Sequence, residues 1–219
     1  MINTVFFDLD GTLSDSFEGI SGGVLYALEH LNVSAPPRDS LKSFVGPPLF
    51  DEFKRRFAMD DDTAREAVRL YREYYPQRGI YEQRPIDGSE ELLKSLSGQG
   101  TALCLATSKP QEYADKILKI FKFEKYFDGI VGATFDGSIS AKADVIALAL
   151  RKTGAVPESS LMVGDRFYDV EGAHACGVRC AGVLCGFGSR EELESCSADF
   201  IAEKLLDIAG IVAADNAQK

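Results

Sequence analysis

The chain has 219 residues, of which 45% are hydrophobic and 26% are charged, a balance typical of a globular protein with a sizeable core. Its 34 acidic and 24 basic residues give a net charge of −10, and a field of that sign repels a polyphosphate backbone. No apolar run approaches the ~18 residues of a membrane span, and the first ten residues lack the basic region of a secretory signal. We therefore expect neither nucleic acid nor a membrane as a partner.

The number and spacing of the cysteines indicate the redox environment of the protein. Their number, five, is odd, no C-x-x-C pair occurs, and their spacing fits no zinc template. We therefore expect buried free thiols, rather than a metal cluster or a disulfide framework, and a cytoplasmic protein.

If the substrate of so acidic a protein is an anion, its site must reverse the field locally with a metal, a lysine or backbone N–H groups.

Strand and helix patterns alternate along most of the chain. Short apolar, β-branched or aromatic runs predict strands at 3–7, 101–106, 130–131, 161–163, 178–184 and 200–201. Helical patterns lie between or after them at 111–121, 143–152, 170–176 and 204–213. This alternation predicts an α/β fold with a Rossmann-like parallel sheet and helices on both of its faces.

Residues 14–84 interrupt the alternation. They carry apolar stripes at helical spacing, such as Phe50, Phe53 and Phe57, and no convincing strand. They also hold eight of the twelve arginines, most of which we expect on a solvated helix surface, with one or two facing an anionic substrate. We predict a discontinuous core domain, 1–13 and 85–219, with an inserted all-helical domain at 14–84.

Polar residues directly follow three of the predicted strands. They are Asp8 and Asp10 after the first, Thr107 and Ser108 after the second, and Asp165 and Asp169 after the strand at 161–163. Ligands of parallel sheets bind beyond the carboxyl ends of the strands, so these side chains should converge at one edge. Gly11 permits a turn that brings Asp8 and Asp10 to one reaction centre, where two carboxylates can divide nucleophilic and acid/base roles.

The second acidic pair favours a metal. Two carboxylates four residues apart suit Mg²⁺, which prefers one or two carboxylates with waters and substrate phosphate. Asp169 also fits a simpler role, because an aspartate near a helix N-terminus is stabilised by the helix dipole.

Thr107 and Ser108 offer donors to phosphate oxygens, and Lys142 offers one positive charge beside the crowded carboxylates. Gly186-Phe187-Gly188 is interpreted as a tight turn with Ser189 capping the next helix.

Taken in order, these segments resemble the four motifs of the haloacid dehalogenase superfamily. The matching segments are Asp8-Leu9-Asp10-Gly11-Thr12, Thr107, Lys142 and Gly164-Asp165 with Asp169. The resemblance covers nearly the whole chain and implies that residues 14–84 form that superfamily's helical cap. Three further segments resemble its phosphoglycolate-phosphatase and 5′-nucleotidase-like branch: Gly46-Pro47-Pro48-Leu49, Thr107-Ser108-Lys109-Pro110 and Gly186-Phe187-Gly188-Ser189.

The resemblance implies roles for the site residues. Asp8 would attack phosphorus, and Asp10 would protonate the leaving oxygen and then activate water. Mg²⁺ would be bound by Asp8, the backbone carbonyl of Asp10, Asp165 and Asp169. Gly11, Thr107, Ser108 and Lys142 would bind the phosphoryl group. In the cap, Gly46, Pro47 and Arg78 are candidates for substrate specificity.

The sequence is compatible with three functions. The first is a Mg²⁺-dependent phosphatase acting on a small phosphorylated metabolite, of the phosphoglycolate or nucleoside 5′-monophosphate class. The second is a phosphosugar mutase of the β-phosphoglucomutase type, although this family usually has a histidine in the first cap helix and here none occurs before His30. The third is a non-catalytic receiver-like signalling domain phosphorylated on aspartate. The sequence does not determine the substrate or the oligomeric state.

Overall fold

The computed structural model describes residues 1–217 of the chain. The strands are β1 (Thr4–Phe7), β2 (Ser14–Asp15), β3 (Arg84–Pro85), β4 (Ala102–Pro110), β5 (Gly129–Ala133), β6 (Ser160–Gly164), β7 (Arg179–Val183) and β8 (Phe200–Ala202). The α-helices are α1 (Phe17–His30), α2 (Leu49–Phe57), α3 (Asp61–Tyr74), α4 (Ser89–Gly98), α5 (Gln111–Phe121), α6 (Lys142–Thr153), α7 (Phe167–Ala175), α8 (Arg190–Ser195) and α9 (Asp207–Ala217). Short 3-10 helices span Arg38–Phe44, Gly79–Tyr81, Glu124–Tyr126 and Pro157–Ser159.

Six strands form one sheet in the order β5-β4-β1-β6-β7-β8, and all of its strand pairs are parallel. β1 lies between β4 and β6, with Phe6 opposite both Cys104 and Met162. Helices cover both faces of the sheet, as the alternating pattern predicts, so this α/β fold is confirmed. Because β1, β4 and β6 are neighbours and run in parallel, their carboxyl ends lie side by side.

The apolar residues of the sheet alternate between its two faces. On one face, Phe6, Cys104 and Met162 join a buried cluster with α6 and α7, to which Val145 and Val170 contribute. These side chains are removed from water, which is the main stabilising contribution of such a core. The same packing fixes the N-terminal ends of α6 and α7 relative to the ends of the central strands.

The predicted elements differ from the structure chiefly at their ends. β4 continues to Pro110, beyond the predicted end at residue 106, because its pairing with β5 resumes after a register shift between Thr107 and Pro110. The sequence pattern also starts α7 late, since the helix begins at Phe167. At this end its apolar spacing is interrupted by Asp169, which the structure uses to cap the helix.

The chain divides into two compact units. One comprises Met1–Ser14 with the chain from Pro85 onward, and the other is Asp15–Arg84. The first, called the core unit here, contains the six-stranded sheet. The second, called the cap unit, contains α1, α2 and α3. Two strands of two residues each, β2 and β3, pair at the ends of the inserted segment, where the pattern predicts no strand. Two residues are too few to show an alternating pattern.

The cap unit has its own apolar core. Phe53 and Phe57 lie on one side of α2, as their spacing predicts, and both rings pack against Phe44 at centroid distances of 5.0 and 6.0 Å. α1 and α3 approach closely at Gly23, where a Cβ atom would lie 2.7 Å from the ring of Tyr71. Glycine is therefore needed at this helix contact for space.

The five cysteines are free, as expected, but they are not all buried. Cys104 and Cys180 are buried, Cys176 and Cys196 are half-buried, and Cys185 is exposed. Within residues 1–217, none of the helices combines the length and apolarity that crossing a membrane requires.

Candidate active site

Asp8 follows β1 directly and lies at the centre of the candidate site. Its backbone N–H donates to the carbonyl of Val163, 2.9 Å away, which ties the end of β1 to the end of β6. Its side chain is almost fully buried, and Oδ1 lies 2.9 Å from Nζ of Lys142. The parallel pairing of β1 and β6 thus fixes the first carboxylate of the site.

The turn after Asp8 depends on Gly11. This residue has φ +82°, and a Cβ there would lie 2.2 Å from Oδ2 of Asp165. Its N–H donates to the carbonyl of Ser14 at 2.8 Å. The N–H of Gly11 is therefore engaged in the turn, and its binding of the phosphoryl group stays a prediction. Gly11 provides the turn and the space that Asp165 occupies.

Lys142 is the first residue of α6 and joins two carboxylates. Its Nζ lies 2.9 Å from Asp8 and 2.8 Å from Oδ1 of Asp169, and the lysine is only 6% exposed. Burial by itself would lower the pKa of Lys142, but the carboxylates of Asp169 and Asp8 raise it above its usual range. The lysine is therefore a fixed positive charge within the site.

Asp165 and Asp169 are both buried at the junction between β6 and α7. Oδ2 of Asp169 accepts the N–H of Arg166 at 3.1 Å and so caps the helix, while its Oδ1 faces Lys142. Asp169 therefore combines the helix-capping role with a place in the cluster. Asp165 accepts the N–H of Phe187 at 2.8 Å and the hydroxyl of Thr12 at 3.3 Å.

With Asp8, Asp165 and Asp169 all ionised, the cluster would carry more negative than positive charge. Burial, with the charges of Asp169 and Asp8, raises the pKa of Asp165 to about 8. Burial also raises the pKa of Asp169 to about 6, although Lys142 opposes this shift. Three buried carboxylates with one lysine nearby are therefore short of positive charge.

A divalent cation fits this deficit. One ligand oxygen from each of Asp8, Asp165 and Asp169 can be chosen so that all three lie within 4.8 Å of one another. Hard cations such as Mg²⁺ prefer oxygen ligands, and all three residues supply them. The side chain of Asp10 is not part of this group.

Asp10 has its own lysine, which the sequence interpretation missed. Nζ of Lys109 lies 3.0 and 2.8 Å from the two carboxylate oxygens of Asp10, and Lys109 is 7% exposed. The four carboxylates of the candidate site, those of Asp8, Asp10, Asp165 and Asp169, are thus accompanied by two buried lysines. Strand alternation gives no signal for Lys109, because the predicted strand ends at residue 106 and the register of β4 shifts between Thr107 and Pro110.

Thr107 and Ser108 lie at the carboxyl end of β4, beside β1. Thr107 is buried, and its hydroxyl accepts the N–H of Lys109 at 3.2 Å. Ser108 is half-buried in the segment where the register shifts. Both residues are therefore at the sheet edge that also carries Asp8.

The three predicted specificity residues belong to the cap unit. Gly46 has φ +106° and, like Pro47, is half-buried in the turn before α2. Arg78 is exposed, with its guanidinium 5.3 Å from the ring centroid of Tyr74. None of these three residues lines the cleft of ≈ 760 Å³ found within the cap unit.

That cleft has the size of a small-molecule site and a polar wall. Its lining residues are Asp15, Phe17, Glu18, Arg38, Asp39, Lys42, Tyr74, Glu82, Gln83 and Arg84. Arg38 is held in place by Ser21 and by Glu18, and Tyr74 donates to Glu82 at 2.8 Å. The cleft thus presents both signs of charge.

Comparison with known proteins places the chain in a family. The model of the family described as haloacid dehalogenase-like hydrolase matches residues 5–183. A 5′-nucleotidase of Pseudomonas aeruginosa is 43% identical over 191 residues, which cover 87% of this chain and 86% of that protein. The tyrosine-protein kinase PtkA of Mycobacterium tuberculosis is 40% identical over 194 residues, which cover 88% of this chain and 66% of that protein. The crystal structure of a predicted phosphatase from Clostridium acetobutylicum matches with a TM-score of 0.94 and 41% identity, covering 98% of this chain and 99% of that one.

The parallel sheet, the acidic edge and these similarities define an α/β enzyme of the phosphatase type. The chain belongs to the haloacid dehalogenase-like hydrolases. The motif resemblance found in the sequence is thereby confirmed at the level of the family.

Proposed function

We propose that this enzyme is a cytoplasmic, Mg²⁺-dependent phosphatase that hydrolyses a small phosphomonoester metabolite through an aspartyl-phosphate. The observation that carries the proposal is the buried cluster in which Asp8 and Asp169 flank Nζ of Lys142 at 2.9 and 2.8 Å. Burying such charged groups costs folding free energy, which opposite charges in the site must offset or a function must justify.

Asp8 is the proposed nucleophile. Its carboxylate oxygen forms a bond to phosphorus while the bond from phosphorus to the leaving oxygen breaks, and Asp10 gives a proton to that oxygen. In the second step Asp10 takes a proton from water, the water oxygen bonds to phosphorus, and Asp8 is released with inorganic phosphate. The two aspartates have different partners, Lys142 and Lys109, which suits a division of roles.

Lys142, Thr107 and Ser108 are the proposed phosphoryl ligands. Lys142 supplies the charge that an anionic substrate needs in so acidic a protein, and Thr107 supplies a buried hydroxyl at the same sheet edge. Asp8, Asp165, Asp169 and the backbone carbonyl of Asp10 would hold Mg²⁺. When bound, Mg²⁺ would neutralise charge on the phosphoryl oxygens.

The proposed substrate class is a phosphoglycolate-like or nucleoside 5′-monophosphate metabolite. The similar Pseudomonas protein, a 5′-nucleotidase, supports the nucleotide. Gly46, Pro47 and Arg78 of the cap unit stay as proposed specificity residues.

The test is metal-dependent release of phosphate. Wild-type protein is assayed with p-nitrophenyl phosphate, phosphoglycolate and nucleoside 5′-monophosphates, in excess Mg²⁺ and in EDTA. We expect turnover only with the metal, and none above background for Asp8→Asn, because the amide cannot act as the nucleophile. Asp144→Asn, an exposed position on α6, is the matched control and should retain full turnover.

Other outcomes would replace the proposal. Equal turnover by Asp8→Asn and wild type would contradict it. Isomerisation of β-glucose 1-phosphate faster than phosphate release would identify a mutase. A long-lived aspartyl-phosphate without turnover would identify a receiver-like domain. Transfer from a nucleoside triphosphate to protein tyrosine would match the similarity to PtkA instead.

A further inference from the structure

The loop after β7 encloses Asp165. The backbone N–H of Phe187 donates to Oδ2 of this carboxylate at 2.8 Å, although the two residues are 22 positions apart. The other oxygen, Oδ1, faces the hydroxyl of Thr12 at 3.3 Å. Asp165 is fully buried, so its orientation depends on these two donors and on the packing around it.

Two glycines allow the loop to come this close. A Cβ on Gly188 would lie 1.9 Å from the carbonyl oxygen of Asp165, and one on Gly186 would lie 2.2 Å from the carbonyl oxygen of Gly11. Neither Gly186 nor Gly188 has a positive φ, so space rather than backbone conformation requires glycine here. Any side chain at either position would move the loop away from Asp165 or displace the carboxylate.

α8, which follows the loop, provides a second attachment. Oε1 of Glu192 accepts the N–H of Phe167 at 3.0 Å and Nε of Arg166 at 2.8 Å. These two residues directly follow Asp165 in the chain. Ser189 starts α8 by accepting the N–H of Glu192 at 3.2 Å, as the sequence predicts, so the helix is fixed just beyond Gly188.

We propose that Gly186, Phe187, Gly188 and Glu192, together called the clasp, position the Asp165 carboxylate for the divalent cation and thereby set the metal affinity of the site. The proposal rests on the proposed function, in which Asp165 is a metal ligand. The clasp residues are positioning residues, because they act through Asp165. Partners that orient a ligand carboxylate are worth about 10- to 100-fold in metal affinity.

The experiment measures Mn²⁺ binding to the full-length protein by isothermal titration calorimetry. The variants are Gly188→Ala, which places a methyl group against Asp165, and Glu192→Ala, which removes the second attachment without adding volume. Their matched controls are Gly210→Ala, where a Cβ would meet nothing within 4 Å, and Glu194→Ala, an exposed position on the same helix as Glu192. Thermal unfolding in EDTA shows whether each variant is folded.

We expect the Kd for Mn²⁺ to rise about 10- to 100-fold in Gly188→Ala and by a smaller factor in Glu192→Ala. The two controls should bind as wild type does. Saturating Mg²⁺ should restore turnover of Gly188→Ala towards the wild-type value, and KM for the substrate should not change. A role in general stability alone would leave the metal Kd unaltered.

Two failures are distinguishable. If wild type binds Mn²⁺ and both clasp variants bind it equally well, the clasp proposal is overturned and the proposed function stands. If wild type itself binds no Mn²⁺, the metal part of the proposed function fails and the clasp proposal falls with it. If Gly188→Ala does not fold, Glu192→Ala decides by the same comparison with Glu194→Ala.

Discussion

The two units of the chain use charged residues in opposite ways. On α3 of the cap unit, ion pairs lie on the exposed helix surface at short sequence separations, as where Arg69 pairs with Glu66 at 2.6 Å and also with Glu73. In the core unit, Lys142 and Lys109 bind carboxylates that come from distant parts of the chain, and all of these groups are almost fully buried. The distances are similar, but the surroundings differ.

This difference determines what the charges can do. Water screens the surface pairs, so that each contributes little to stability and its members can be replaced. A buried carboxylate has no such alternative and depends on one particular partner. The Arg-rich cap unit therefore has the solvated surface that its composition predicts, while the buried charges around Lys142 and Lys109 in the core unit form the proposed active site.

Among the variants that test this difference between the units, Lys142→Met should have the largest effect on stability. The substitution leaves Asp8 and Asp169 buried without their positive partner, so we expect the free energy of unfolding to fall by about 3–5 kcal/mol. Urea denaturation in EDTA measures it. Arg69→Met in the cap unit is the control, and its midpoint should stay at the wild-type value. Equal losses in the two variants would remove the distinction between the units.

Lys109→Met should have a smaller effect on stability. Asp10 is somewhat more exposed than Asp8, so part of its lost interaction can be replaced by water, and we expect a loss of about 1–3 kcal/mol. Because Lys109 holds both oxygens of Asp10, kcat should fall while KM changes little. The control is Lys94→Met, at an exposed position on α4, which should match wild type in both measurements. Unchanged kcat in Lys109→Met would show that Asp10 does not depend on this lysine.

The fold could be predicted because its signals are local. β1 and α5 are identified from apolar periodicity, and the alternation of strands and helices specifies a parallel sheet. The end of β4 could not be predicted in this way, because the extension to Pro110 depends on pairing with β5 across a register shift. Pairing between distant strands leaves no periodic mark within either one.

The site was predictable where residue type carries the chemistry. Asp8, Asp165, Asp169 and Lys142 follow strands or begin helices at one sheet edge, and the structure brings their side chains together. The N–H of Phe187 could not be predicted, since every residue except proline has such a donor. The hydrogen bond from the N–H of Gly11 to the carbonyl of Ser14 could not be predicted either, for the same reason.

In the proposed reaction, the carboxylate of Asp8 takes the phosphoryl group. The most direct measurement is to quench turnover of a ³²P-labelled phosphomonoester with acid, digest the protein and locate the label. We expect label on the peptide containing Asp8, in amounts that depend on Mg²⁺, and no label in Asp8→Asn. Label on another residue, or turnover with no labelled protein at any quench time, would contradict it.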